Sequence, residues 1–156
     1  MWSIQQLVDL PALLLLIAAN ATPVVLARML GRRYATAIDA GFSMHDGRPL
    51  FGPHKTWRGL IAGMLAGATV GSLLSPGLIL GGAFAALALL GDLLSSFLKR
   101  RLGFASGAAV PLLDQLPEAL LPLLILHGPL GLESVAVIGT GLAFTGLDMI
   151  AARYRL

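Results

Sequence analysis

Long uncharged runs alternate with short, charged segments along this chain. Residues 10–27, LPALLLLIAANATPVVLA, carry no formal charge, and residues 59–91 carry none for 33 positions. A helix needs about 20 residues to cross about 30 Å of hydrocarbon. The first run therefore predicts a span over about 7–27, and the second is too long for one ordinary span. Ser75-Pro76-Gly77 is a turn signal within it, which predicts spans over about 58–74 and 78–98. A fourth span is expected over about 109–127, interrupted by Asp114, Pro117 and Glu118. A fifth follows over about 131–150, after the turn at His127-Gly128-Pro129.

Composition agrees with an integral membrane protein. The 156 residues are 56% hydrophobic and only 12% charged, with mean hydropathy +0.83. Soluble domains carry roughly 25% charge. The expected fold class is all-α, a single transmembrane domain over 1–156 with five transmembrane helices. There is no cysteine, which removes disulfides and Cys-based metal sites. The first residues, MWSIQQLVDLPALLLL, lack the basic segment of a signal peptide and read as the start of a retained span.

Charge distribution sets the orientation. Of eleven Lys and Arg, six lie in 28–58, three at 99–101 and two at the C-terminus. A five-span arrangement puts all of them on one side, which the positive-inside rule assigns to the cytoplasm. The N-terminus is then outside, while the tail and the loops 28–57 and 99–108 are cytoplasmic, and the cell membrane is the expected location. The net charge of +3 fits basic loops on an anionic leaflet and calls for no nucleic acid partner. Trp2 and Trp57 fall at opposite interfaces, as belt aromatics do. Glycines at 59, 63, 67 and 71 share one face of the second span. Small residues let helices approach closely in a bilayer. Packing within the chain is the first reading of this stripe, and a homodimer seam is the second.

Against this background an acid inside a span is notable, since an ionised carboxylate near the bilayer interior costs about 2.5 kcal/mol or more. Asp92 lies in LLGDLLSSFLKRRLG (89–103), seven residues before Lys99. On a helix Ser95, Ser96 and Lys99 follow on its face. Asp114 and Glu118 are four apart on the next span, which begins on the same side. Two antiparallel helices would aim three carboxylates into one cytoplasm-facing pocket, with Lys99 and Arg100 at its mouth. The competing reading is structural, an acid paired with a cation to lock two helices. Carboxylates beside hydroxyls suit a hard cation such as Mg²⁺, which takes oxygen ligands and keeps substrate phosphate. A basic rim suits polyphosphate. Together they point to phosphoryl chemistry, with Asp92, Asp114 and Glu118 as metal ligands.

The first loop offers a second cluster. DAGFSMHDGRPLFGPHKTWRG (39–59) holds Asp39, Asp46, Lys55, Thr56 and Arg58 among glycines. It lacks the spacing of a P-loop. A loop of this composition wraps a nucleotide phosphate or, alternatively, lies solvated against anionic lipid. His45 and His54 carry no metal signal, His127 reads as a capping residue, and Asp148 as an ion-pair partner of Arg153 or another cation.

Two segments together resemble a known family. HDGRPLFGPHKTWRG (45–59) and GDLLSSFLKRRLGFASGAAVPLLDQLPE (91–118) look like the CDP-archaeol synthases, five-span cytidylyltransferases related to the CDP-diacylglycerol synthases. The resemblance implies transfer of a cytidylyl group from CTP to a lipid phosphate, with release of pyrophosphate and a need for Mg²⁺. It implies that Asp92 and Asp114 bind metal or substrate phosphate, and that Lys99 belongs to the catalytic group with them. Ser95, Ser96 and Arg100 would line the nucleotide-phosphate site, joined by Lys55, Thr56, Arg58 and Asp46 from the first loop. Two departures stand out: His54 replaces the usual glycine before Lys55, and Pro117 stands where the family pattern has a second aspartate, one residue before Glu118. The alternatives are a non-enzymatic membrane protein or an inactive relative that binds nucleotide or anionic lipid. The string typical of CDP-alcohol phosphotransferases is absent.

Overall fold

The computed structural model describes residues 7–110 and 112–153; Trp2 lies outside them, as does the Arg153 side chain. Five helices follow one another: α1 (Leu10–Leu30), α2 (Trp57–Leu73), α3 (Gly77–Arg101), α4 (Gln115–Leu130) and α5 (Ser134–Arg153). Among the described residues there is no strand, only isolated bridges pairing Ala37 with Thr56 and Ser43 with Pro49. Three helices, α1, α3 and α5, are long and apolar enough to cross a membrane. Helices α2 and α4 have 17 and 16 residues.

Local chemistry explains where the helices differ from their sequence-predicted limits. Asp9 starts α1: its side chain accepts the Ala12 N–H at 2.7 Å, and Pro11 follows in the first turn. An aspartate cap satisfies one of the orphan donors of a helix start, so α1 begins at Leu10 rather than 7. Gly31, at φ 55°, ends it. Thr56 caps α2 by accepting the Gly59 N–H at 3.2 Å. The larger shift is in α4, which begins at Gln115 and not near 109. Residues 102–110 instead fold back over the end of α3, where Phe104 N–H reaches Lys99 O at 3.0 Å. Pro117 is therefore in the first turn of α4, where a missing N–H breaks no helical bond.

The glycine stripe of α2 is consumed within the chain. Gly59, Gly63, Gly67 and Gly71 are all buried. A Cβ on Gly63 would lie 2.7 Å from Ala19 O of α1, and one on Gly71 would lie 2.6 Å from Gly81 Cα of α3. The first reading of the stripe thus holds, and its face has no room for a second copy. The core combines Leu15, Leu16 and Ala19 of α1, Phe84 and Ala88 of α3, and Leu123 of α4 with Phe144 of α5. The outer surface is apolar: Ile79 is 82% exposed, Leu73 79% and Leu142 67%. That exterior suits hydrocarbon, where lipid covers what water would not.

Candidate active site

A cavity of about 1170 Å³ opens between the helices at the end where the loops 31–56 and 102–114 lie. Its wall draws on every helix except the far half of α4. Lys55 and Thr56 come from the first loop, Asp92 and Lys99 from α3, Asp114 and Glu118 from the start of α4, and Asp148 from α5.

Lys55 holds Asp92. The ammonium lies 2.6 Å from both carboxylate oxygens, with about a quarter of each side chain exposed. Lys99 holds Asp114: Nζ is 2.6 Å from Oδ1 and also donates to Ala108 O at 3.0 Å. The Lys99–Asp114 approach is an ionic contact rather than an aligned hydrogen bond, since Oδ1 has no hydrogen-bond partner. Asp114 Oδ2 accepts the Val110 N–H at 2.9 Å, fixing the carboxylate at the head of α4. Glu118 is half-buried and neighbours Asp92, with Lys55 and Asp148 in electrostatic range. Gly91 makes that contact available: a Cβ there would collide with the Pro117 carbonyl and the Glu118 nitrogen. Its absence lets α4 settle against α3 and brings Glu118 to Asp92.

The three acids expected in one pocket do line one cavity, in unequal relations. Asp92 and Glu118 are neighbours, whereas Asp114 stands apart against Lys99. Among the described residues no three His, Asp or Glu side chains are grouped to hold a metal ion by themselves. The donor chemistry still fits Mg²⁺, which is commonly held by one or two carboxylates and completed by substrate phosphates and water. Asp92 and Glu118 are the pair that fits.

Other expected site residues are placed elsewhere. Ser95 and Ser96 are buried, and the Ser95 hydroxyl donates to Asp92 O at 2.9 Å. Arg100 is buried with its Nη2 on Ala105 O at 2.7 Å. None of the three lines the cavity, and Arg100 is instead held by the returning loop 102–110. Asp46 is also outside the cavity, 2.7 Å from Arg101. Arg58 is in the wall, with its guanidinium on the carbonyls of Gly31 and Arg33, so it closes the end of α1. The Thr56 hydroxyl is in the wall while capping α2.

The first loop is held by two devices. Buried Asp39 accepts N–H groups from Gly52 at 2.8 Å, Phe51 at 3.0 Å and Gly41 at 3.2 Å. Burial pushes its carboxyl up, but these backbone donors outweigh that and hold it below the ordinary aspartate value. At the loop tip Arg101 donates to Pro49 O at 2.7 Å, and Arg48 donates to the Arg101 and Arg100 carbonyls at 3.0 and 3.2 Å. Desolvation pushes the Asp46 carboxyl up, but the Arg48 N–H and the Arg101 guanidinium together outweigh it and hold the carboxyl below its usual value. This clasp ties the Lys55-bearing loop to the end of α3.

Several wall residues were not singled out from sequence. Arg28 and Arg32 of the α1 end, and His54, line the cavity. Asp148 lines it too, with Gln115 Nε2 donating to its Oδ2 at 3.0 Å.

The fold and cavity define a membrane protein whose ionised pocket is flanked by apolar helix faces. A family model described as CarS-like, CDP-archaeol synthase, matches residues 4–81 and 74–154. The chain is 40% identical over 146 residues to the CDP-archaeol synthase of Hyperthermus butylicus, covering 90% of this chain and 81% of that one. With that of Thermofilum pendens it shares 44% over 103 residues, 63% of this chain and half of the relative. A solved structure, described as an intramembrane enzyme for archaeal membrane lipid biosynthesis, superposes with TM-score 0.75 at 36% identity, over 91% of this chain and 90% of that one. The chain belongs to the CDP-archaeol synthase family.

Proposed function

We propose that the chain transfers the cytidylyl group of CTP to a lipid phosphate, giving a CDP-activated lipid and pyrophosphate. Its family makes it a CTP-dependent nucleotidyltransferase of lipid biosynthesis. The observation that carries the finer reading is the cluster of Lys55, Asp92 and Glu118, with Lys99 and Asp114 beside it, in one cavity that also has apolar walls. Such a pocket receives a polyphosphate and an amphiphile together.

In this reading a phosphate oxygen of the lipid attacks the α-phosphorus of CTP, and the bond from that phosphorus to the β-phosphate bridge breaks. Charge builds on the phosphoryl oxygens, so positioning and electrostatic stabilisation supply most of the rate. Mg²⁺, held by Asp92 and Glu118, would neutralise phosphate charge there. Lys55 and Lys99 present ammonium groups to the phosphates once those compete with Asp92 and Asp114. The first loop and 102–110 cover the cavity and limit water, the competing acceptor.

The same reading places all five helices across the membrane as one domain, with the loops in the cytoplasm and the pocket facing it. Helices α2 and α4 span roughly 24–26 Å at 1.5 Å per residue, close to the hydrocarbon thickness, and pack between longer neighbours. The charge asymmetry of the loops supports that orientation. The test is pyrophosphate release by purified protein with CTP, Mg²⁺ and a panel of lipid phosphates. CTP binding without turnover on any of them would mark a binding protein instead.

A further inference from the structure

Helix α1 presents a graded stripe to the cavity. Ile17, Ala21, Val24, Arg28 and Arg32 all belong to its wall. Ile17, Ala21, Val24 and Arg28 share one helical face, and Arg32 follows in the turn past the helix end at Leu30. The stripe is apolar for two turns and then cationic at its end. Across from its apolar part, α5 contributes Phe144 and Leu147.

The two arginines differ from the other basic residues near the site. Lys55, Lys99 and Arg101 face carboxylates, and Arg48, Arg58 and Arg100 hold backbone carbonyls. Among the described residues, the side chains of Arg28 and Arg32 have no ion-pair or hydrogen-bond partner. Placement at a helix C-terminus accounts for some cationic preference through the macrodipole. It does not account for both lining the cavity, which Arg33, next to Arg32 in the same turn, does not do. Two guanidiniums on one cavity wall match a phosphate monoester, which accepts charge-assisted hydrogen bonds from both. The apolar stretch below them matches hydrocarbon attached to that phosphate.

We propose that Arg28 and Arg32 form the subsite for the phosphate of the lipid substrate, with its chains lying along Ile17, Ala21 and Val24. The inference rests on the transfer reading above and divides the cavity. The lysine–carboxylate half takes the nucleotide phosphates, and the end of α1 takes the acceptor.

The test compares wild type, Arg28→Gln/Arg32→Gln and Arg33→Gln in detergent micelles, each checked for monodispersity and thermal stability. One arm titrates a dialkylglycerol phosphate against the same lipid lacking phosphate, and another titrates CTP. The double variant is expected to lose about tenfold or more in affinity for the phosphate lipid, with CTP affinity unchanged and Arg33→Gln like wild type. Equal phosphate-lipid binding by wild type and the double variant, no preference of wild type for the phosphate, or a matching loss of CTP affinity would overturn the assignment. The binding arms need no turnover. Loss of lipid binding in a wild-type background that makes no CDP-lipid would sink the transfer reading and keep the subsite. Unchanged lipid KM in an active double variant would do the reverse.

Discussion

The Lys55 ammonium lies 2.6 Å from each carboxylate oxygen of Asp92, joining a loop residue to the middle of a membrane helix. The pair does two things. It anchors the first loop over the cavity, and it holds a carboxylate where substrate phosphates would arrive. Replacing Asp92 with Asn preserves shape and one acceptor but removes the charge. Turnover is expected to fall by about 10²–10³, the range for removing one key electrostatic group, while thermal stability changes little because the pair is partly solvated. Initial rates and melting curves on the same preparation check this.

The close contact of α2 and α3 depends on two glycines without side chains. A Cβ on Gly81 would lie 2.7 Å from Gly71 Cα, whereas one on its neighbour Gly82 would meet only Ala68 Cβ at 3.5 Å. Gly81→Ala is expected to destabilise by about 1–3 kcal/mol through overpacking. Gly82→Ala is expected to be neutral or slightly stabilising, given alanine's helix propensity. Melting in one detergent distinguishes the two neighbours.

Asp39 makes the first loop sensitive to acid. Its folded pKa is depressed, so its contribution to loop order is fully present above the unfolded value near 3.8 and is lost as pH falls through the folded value. Trp57 begins α2 just past this loop, and its N–H bonds Thr36 O at 3.1 Å. In a Trp2→Phe background, Trp57 emission is expected to shift reversibly below pH 4. Asp39→Asn should show the shifted emission at neutral pH and lose that transition.

The clasp of Arg48, Arg101 and Asp46 is expected to protect the loop from proteases. Arg48→Ala frees the Arg100 and Arg101 carbonyls. Limited proteolysis with chymotrypsin should then cut near Phe42 and Phe51 several-fold faster than in wild type, with Asp92-dependent activity reduced but present.

Much of this arrangement was legible from patterns that physics ties to a period. The uncharged runs predicted five helices, because a bilayer rewards apolar length and forbids unpaired backbone. The glycine spacing of α2 predicted a tight seam, which the contacts with Ala19 and Gly81 supply. The depth match of Asp92, Asp114 and Glu118 predicted one pocket. The start of α4 was not legible: Asp114 looked like a helix-interior acid, and nothing local announces that residues 102–110 double back. Ser95 and Ser96, which periodicity placed on the face of Asp92, and Arg100, expected at the pocket mouth, are buried instead, Arg100 against the carbonyl of Ala105. The Lys55–Asp92 pair was equally hidden, since a contact spanning 37 residues leaves no trace in spacing. Arg28 and Arg32 were counted for topology, and only the cavity wall reveals that they face inward.

The most direct measurement of the central claim is product formation by purified wild type and Asp92→Asn with CTP, Mg²⁺ and a dialkylglycerol phosphate. The account predicts a CDP-lipid and equimolar pyrophosphate from wild type, and a loss of at least a hundredfold in the variant. No CDP-lipid from wild type on any lipid phosphate, or equal rates from the two proteins, would contradict it.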